Sequence, residues 1–174
     1  MPLSLHEASV AVMAHMLGQL SAILDKAAAH AEAGGIDPAT LVEARLAPDM
    51  FALARQVQVA CDQAKNGGSR LAGVEPPKFE DTEKTIDELK ARVAKTLAYV
   101  QSLDKAKIDA AADHEITFPL GPVNKGHMKG DDYLTHFVLP NFYFHCTAAY
   151  AILRHAGVEV GKRDFLGAIP IKMS

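Results

Sequence analysis

Asp131–Gly157, DDYLTHFVLPNFYFHCTAAYAILRHAG, is the stretch that most limits what this chain can fold into. It is long, apolar and aromatic-rich, and it places Pro140 where a helix interior is expected. At about 100° per residue, Leu134, Val138, Asn141, His145, Ala148, Ala149 and Ile152 share one stripe. A carboxamide and an imidazole, one turn apart, therefore sit within an apolar face. Either group buried without a partner costs about 1–3 kcal/mol, so the fold must bring something to meet them. Pro140 has no N–H for the carbonyl of His136, and its ring clashes with that carbonyl, so a kink or a restart is expected at Leu139–Asn141. His136 falls about 180° from His145 on a straight helix. Only a register change at the proline would bring the two rings together.

The rest of the chain supplies helices for this one to pack on. Ser4 and Glu7 form a capping-box pair that starts a helix at Leu5. Its apolar residues recur as Leu5, Ala8, Val12, Met16, Leu20, Ile23 and Ala27, with Val10, Met13, Leu17 and Leu24 widening the face, until Gly34-Gly35 ends it. That width suits a central helix or a dimer interface. Asp37-Pro38 opens a short extra helix over Pro38–Leu46. Pro48 is expected to start a further helix running to Leu71, with Asp49, Gln56 and Gln63 flanking its apolar stripe. The connector GVEPPKF is long enough to cross to a non-neighbouring position. Asp81 or Thr82 should cap the next helix, whose stripe is Ile86, Leu89, Val93, Leu97, Val100 and Leu103. Its charged residues, including a Glu88–Arg92 pair, are expected to face water. Residues 115–129 read as a two-stranded hairpin with turn signals at Gly121-Pro122 and Lys125-Gly126.

These elements predict an all-α fold with one small hairpin, in a single domain over residues 1–174. A formal charge of -3 without a basic run argues against nucleic-acid binding. The first apolar run is broken by His15, Gln19 and Ser21, which argues against a membrane span, and no basic segment precedes it as in a signal peptide. Cys61 and Cys146 sit in apolar helical patterns and read as buried free thiols, which suits a cytoplasmic location. No His pair stands at i,i+3 or i,i+4; the repeated separation is nine, at His6/His15 and His136/His145. Cys146 points about 100° away from His145, so no Cys-His pair forms, and no glycine-rich phosphate loop is present.

The segments MPLSLHEAS, RLAPDMFALARQVQVACDQAK, FPLGP and LPNFYFHCTAAYAILRHAGVEVGKRDFLG resemble a bacterial family of unknown function, grouped by fold with the DinB/YfiT-like metalloenzymes. The resemblance implies a four-helix bundle of up-down-down-up topology with one long crossover, and a homodimer. Metal-binding members of that wider group use one histidine on the second bundle helix and an H-x-x-x-H pair on the last, and some transfer or isomerise with a low-molecular-weight thiol. Carried onto this chain, His145 matches the second histidine of the pair. Asn141 replaces the first, and the helix ending at Leu71 has no histidine.

No cofactor is therefore expected, with zinc or nickel held through His145 as the alternative. The candidate ligand-binding residues are His145, Asn141, Gln56, Asp49 and His136, around a pocket for a small molecule. Asn141 is expected to orient the His145 ring or touch ligand, with Gln56 and Asp49 as partners from the facing helix. Two other readings stand beside this one: a degenerate relative of metal-dependent transferases, and an interaction protein that dimerises through its first helix.

Overall fold

The computed structural model describes residues 3–171. The chain enters a helix at Leu5 with Ser4 and Glu7 capping it reciprocally (both bonds 3.2 Å). One π-helical turn, Glu7–Ala11, runs into α1, Val12–Gly34, and Gly35 ends it at φ 60°. Next come α2 (Pro38–Glu43), α3 (Leu53–Leu71), α4 (Ile86–Gln101) and a short α5 (Lys105–Asp109). Strands β1 (Glu115–Leu120) and β2 (Asn124–Lys129) pair antiparallel, with Phe118 opposite Gly126. The last long helix is built from α6 (Gly130–Asp132), a π-helical segment Tyr133–Val138 and α7 (Leu139–His155), and α8 (Lys162–Leu166) follows.

Cross-helix contacts fix the topology. α4 runs against α1, because Lys90 pairs with Asp25 while Lys105, beyond its end, reaches Ser4. α3 and α4 run parallel: Arg92 meets Asp62, and Tyr99 meets Ser69. α7 runs against α3, with His145 at Gln56 and, upstream, Tyr133 at Arg70. The result is the up-down-down-up bundle, and parallel neighbours α3 and α4 require the long connector between them. The buried side of α1 and its leading turn carries Val10, Met13, Met16, Leu17, Leu20, Ile23, Leu24 and Ala27, drawn from both predicted stripes. α1 and its leading turn are long and apolar enough to cross a membrane by length and composition, but this face packs inside the chain's own bundle.

Gly67 explains how closely α3 and the last helix approach. A Cβ there would lie 2.6 Å from Val138 Cγ1, so only glycine fits without a shift. The hairpin leans on the same helix through Phe118, whose ring centroid lies 4.9 Å from Tyr133 and 4.6 Å from Phe137. His127 hydrogen-bonds Thr117 across the strands at 3.1 Å.

Several expectations need correction. α3 begins at Leu53, not Pro48, and Asp49 lies exposed in the turn before it. α2 stops at Glu43 rather than Leu46. The cap of α4 is Thr85, closed by Glu88 in a capping box, so Glu88 is committed to backbone N–H groups and does not pair with Arg92. Arg92 is not solvated at all: its side chain is 2% exposed. Its guanidinium reaches Asp62, Asp81 and Glu83 at 3.1, 2.9 and 3.1 Å and the carbonyl of Glu80 at 3.0 Å, clamping the crossover onto α3 and α4. Phe79 of the crossover covers this cluster, with the Lys65 and Lys95 ammonium groups 4.6 and 4.0 Å from its ring centroid. At the proline a restart does occur where it was expected: the turn before Pro140 opens to π-helical hydrogen bonding over Tyr133–Val138, and α-helical bonding begins again at Leu139. Outside those expectations, the segment after α7 docks on α1: Leu166 O accepts from His15 Nε2 at 2.7 Å, and Lys26 pairs with Asp164 at 2.7 Å.

Candidate functional site

α3 and α7 lie side by side because both present small or apolar residues on the facing surface, Val57, Ala60, Ala64 against Phe142, Ala148, Ala149. Gln56 and His145 are the polar pair in that seam, 1% and 8% exposed. Gln56 Nε2 donates to the carbonyl of Phe51 at 3.2 Å, which turns Oε1 toward the imidazole. His145 Nδ1 must then be the donor to Oε1, at 2.7 Å, because an amide oxygen has only lone pairs to offer. The hydrogen-bond chain thus selects one tautomer: Nδ1 carries the proton and Nε2 presents a lone pair. Burial, with the positive charge of Arg55 adding to it, lowers the pKa of His145 below its ordinary 6.5, so the ring is neutral at pH 7.

Nε2 has no hydrogen-bond partner among the described residues. His145 lines a shallow cavity of about 200 Å³ together with Asp49, Met50, Phe51, Gln56 and Phe144. Phe51 stacks near the imidazole, with centroids 6.4 Å apart and planes at 20°, while Phe144 meets it edge-on at 5.1 Å and 89°. Both phenyl rings are half-exposed, at 50% and 57%. Arg55 lies over the Phe51 ring, 5.8 Å from its centroid, and also pairs with Asp81 of the crossover.

The expected residues divide accordingly. His145, Gln56 and Asp49 come together. Asn141 does not join them; its Nδ2 donates to the carbonyl of Phe137 at 2.7 Å, so Gln56 rather than Asn141 orients the ring. His136 is exposed and bonds to neighbouring Thr135. Phe51 and Phe144, which line the cavity, and Arg55, which lies over the Phe51 ring, were not assigned to it from sequence. Phe144 adjoins His145 in the chain, but no sequence period marks Phe51, which sits in the turn before α3.

A three-histidine metal centre does not fit this donor set. His145 Nε2 is the free imidazole nitrogen, the Gln56 oxygen is already accepting from Nδ1, and amides are poor zinc ligands. No group of three His, Cys, Asp or Glu side chains able to hold an ion is found among the described residues. The thiols offer no nucleophile either. Burial pushes Cys61 up to about 12 and Cys146 well above the ordinary thiol range.

A helical bundle of this topology, with the crossover between its second and third helices, defines a DinB-like protein. A crystal structure of a DinB family member protein from Shewanella denitrificans is similar at 44% identity and TM-score 0.90, covering 98% of this chain and 96% of that one. Residues 5–166 match the family described as a domain of unknown function, DUF1993, and the chain belongs to that family. No curated protein matches it.

Proposed function

We propose that this protein binds a small molecule in the cavity at the α3–α7 seam, with neutral His145 Nε2 as the hydrogen-bond acceptor or proton acceptor, and without a resident metal. The observation carrying this reading is the Phe51 O–Gln56–His145 chain, which holds one ring nitrogen protonated and leaves the other free beside two half-exposed aromatic rings. The two buried free thiols suit a reducing, cytoplasmic setting.

Diethyl pyrocarbonate acylates accessible neutral imidazole nitrogens. We expect mass spectrometry to find His145 carbethoxylated at pH 7 despite its burial. A His145 that stays unmodified while exposed His136 reacts would mean that Nε2 is closed off, and the reading fails. A homodimer is a second proposal, favoured by the exposed Phe51 and Phe144 rings; the apolar face of α1 is already buried within its own chain.

A further inference from the structure

We infer that the cavity at His145 selects a single uncharged aromatic ring bearing a hydrogen-bond donor, as in a phenol. The inference rests on the reading of His145 given above and narrows its ligand class. Four observations converge. First, the free group is an acceptor: Nδ1 is held as the donor to Gln56, so Nε2 calls for an O–H or N–H from the ligand. Second, the walls are aromatic, Phe51 lying nearly parallel to the imidazole and Phe144 standing perpendicular to it. A planar ring can stack against one and meet the edge of the other. Third, about 200 Å³ lies below the roughly 300 Å³ at which drug-sized pockets begin, so the space suits one ring rather than a fused or extended ligand. Fourth, the exposed Asp49 carboxylate on the lining disfavours a carboxylate or phosphate on the ligand. A thiol of the same size would donate only a weak hydrogen bond to Nε2 and gain little from the rings.

The test compares matched probes on the full chain by calorimetry or by chemical-shift titration. 4-Methylphenol is expected to bind, and 4-methylanisole, the same ring without the O–H, to bind about fivefold more weakly, as the loss of one hydrogen bond predicts. 4-Hydroxybenzoate should also bind more weakly than 4-methylphenol, and Asp49→Asn, a change at an exposed turn residue, should narrow that gap. Phe144→Ala, at a half-exposed position where folding is not at stake, should weaken 4-methylphenol binding severalfold. Equal affinity for phenol and anisole would overturn the inference, as would no binding of 4-methylphenol at millimolar concentration. If His145 is still carbethoxylated in that last case, the accessible acceptor stands and only the ligand class is wrong.

Discussion

α3 faces a buried polar group on each of two sides, Arg92 of α4 and His145 of α7, and the two are treated differently. Toward α4, Arg92 is surrounded: three carboxylates and a carbonyl take its terminal nitrogens, leaving only Nε without a partner. Toward α7, His145 has one nitrogen fixed by Gln56 and the other free at a cavity. A charge can be buried only if it is paired, so the α4 side had to be closed by the crossover. A neutral imidazole carries no such demand, and one open nitrogen is tolerable where water or a ligand can reach it. The closed cluster holds the fold together; the open one is where binding chemistry is available.

Breaking the closed side should cost most. Arg92→Ala leaves Asp62, Asp81 and Glu83 facing one another without their shared cation. Removing one partner of a buried ion pair costs about 3–5 kcal/mol. Because the carboxylates are 25%, 38% and 12% exposed, the lower end is expected, about 3 kcal/mol. Urea denaturation measures it. A loss below about 1 kcal/mol would place Arg92 with ordinary surface ion pairs and remove the contrast with His145.

The open side should show itself through pH. The folded-state pKa of His145 lies below its ordinary 6.5, so between those two values the unfolded chain binds more protons than the native one. Stability from this group is therefore fully present above pH 6.5 and declines as pH falls toward the folded-state pKa, where it levels off. His145→Gln removes the titrating ring. The stability difference between wild type and this variant should shift against wild type as pH drops from about 7.5 to about 5.5. A difference that does not change with pH would mean that His145 titrates alike in the folded and unfolded chains.

Why one side was legible in the sequence and the other was not follows from the range of the forces involved. Helical periodicity is local, so the four long helices, the capping box at Ser4, the Gly35 stop and the hairpin could be read from spacing. The polar residue on an apolar stripe, His145, could also be read, because a helix fixes which face it occupies. Its partner on another helix could only be narrowed to Gln56 or Asp49. The crossover was harder. Arg92 reads as a surface residue because its neighbours in sequence are charged. It is buried only because residues 79–83 fold back over it, and nothing local in the chain announces that. The same contact moved the α4 cap: Asp81 is engaged by Arg92 and Arg55, and the helix waits for Thr85. Pro140 predicted a kink or a restart at Leu139–Asn141, and α-helical bonding does begin again at Leu139, after a π-helical segment at Tyr133–Val138 that the sequence did not announce.

The two sides are joined by Arg55, and a change there should give the smallest effect. Its guanidinium pairs with Asp81 of the crossover and lies over Phe51, the ring that stacks near His145. The side chain is 42% exposed, so the ion pair is screened, and Arg55→Gln should alter stability by less than about 1 kcal/mol. What it should move is the imidazole. With one positive charge gone, protonation of His145 is opposed by burial alone, and its titration midpoint, followed by NMR of the ring, should rise toward 6.5. A midpoint that stays where it was would leave burial as the whole cause, and the crossover would then have no electrostatic hold on the cavity. A rise accompanied by a change in 4-methylphenol affinity would instead tie the segment that closes the Arg92 cluster to the side of α3 that remains open.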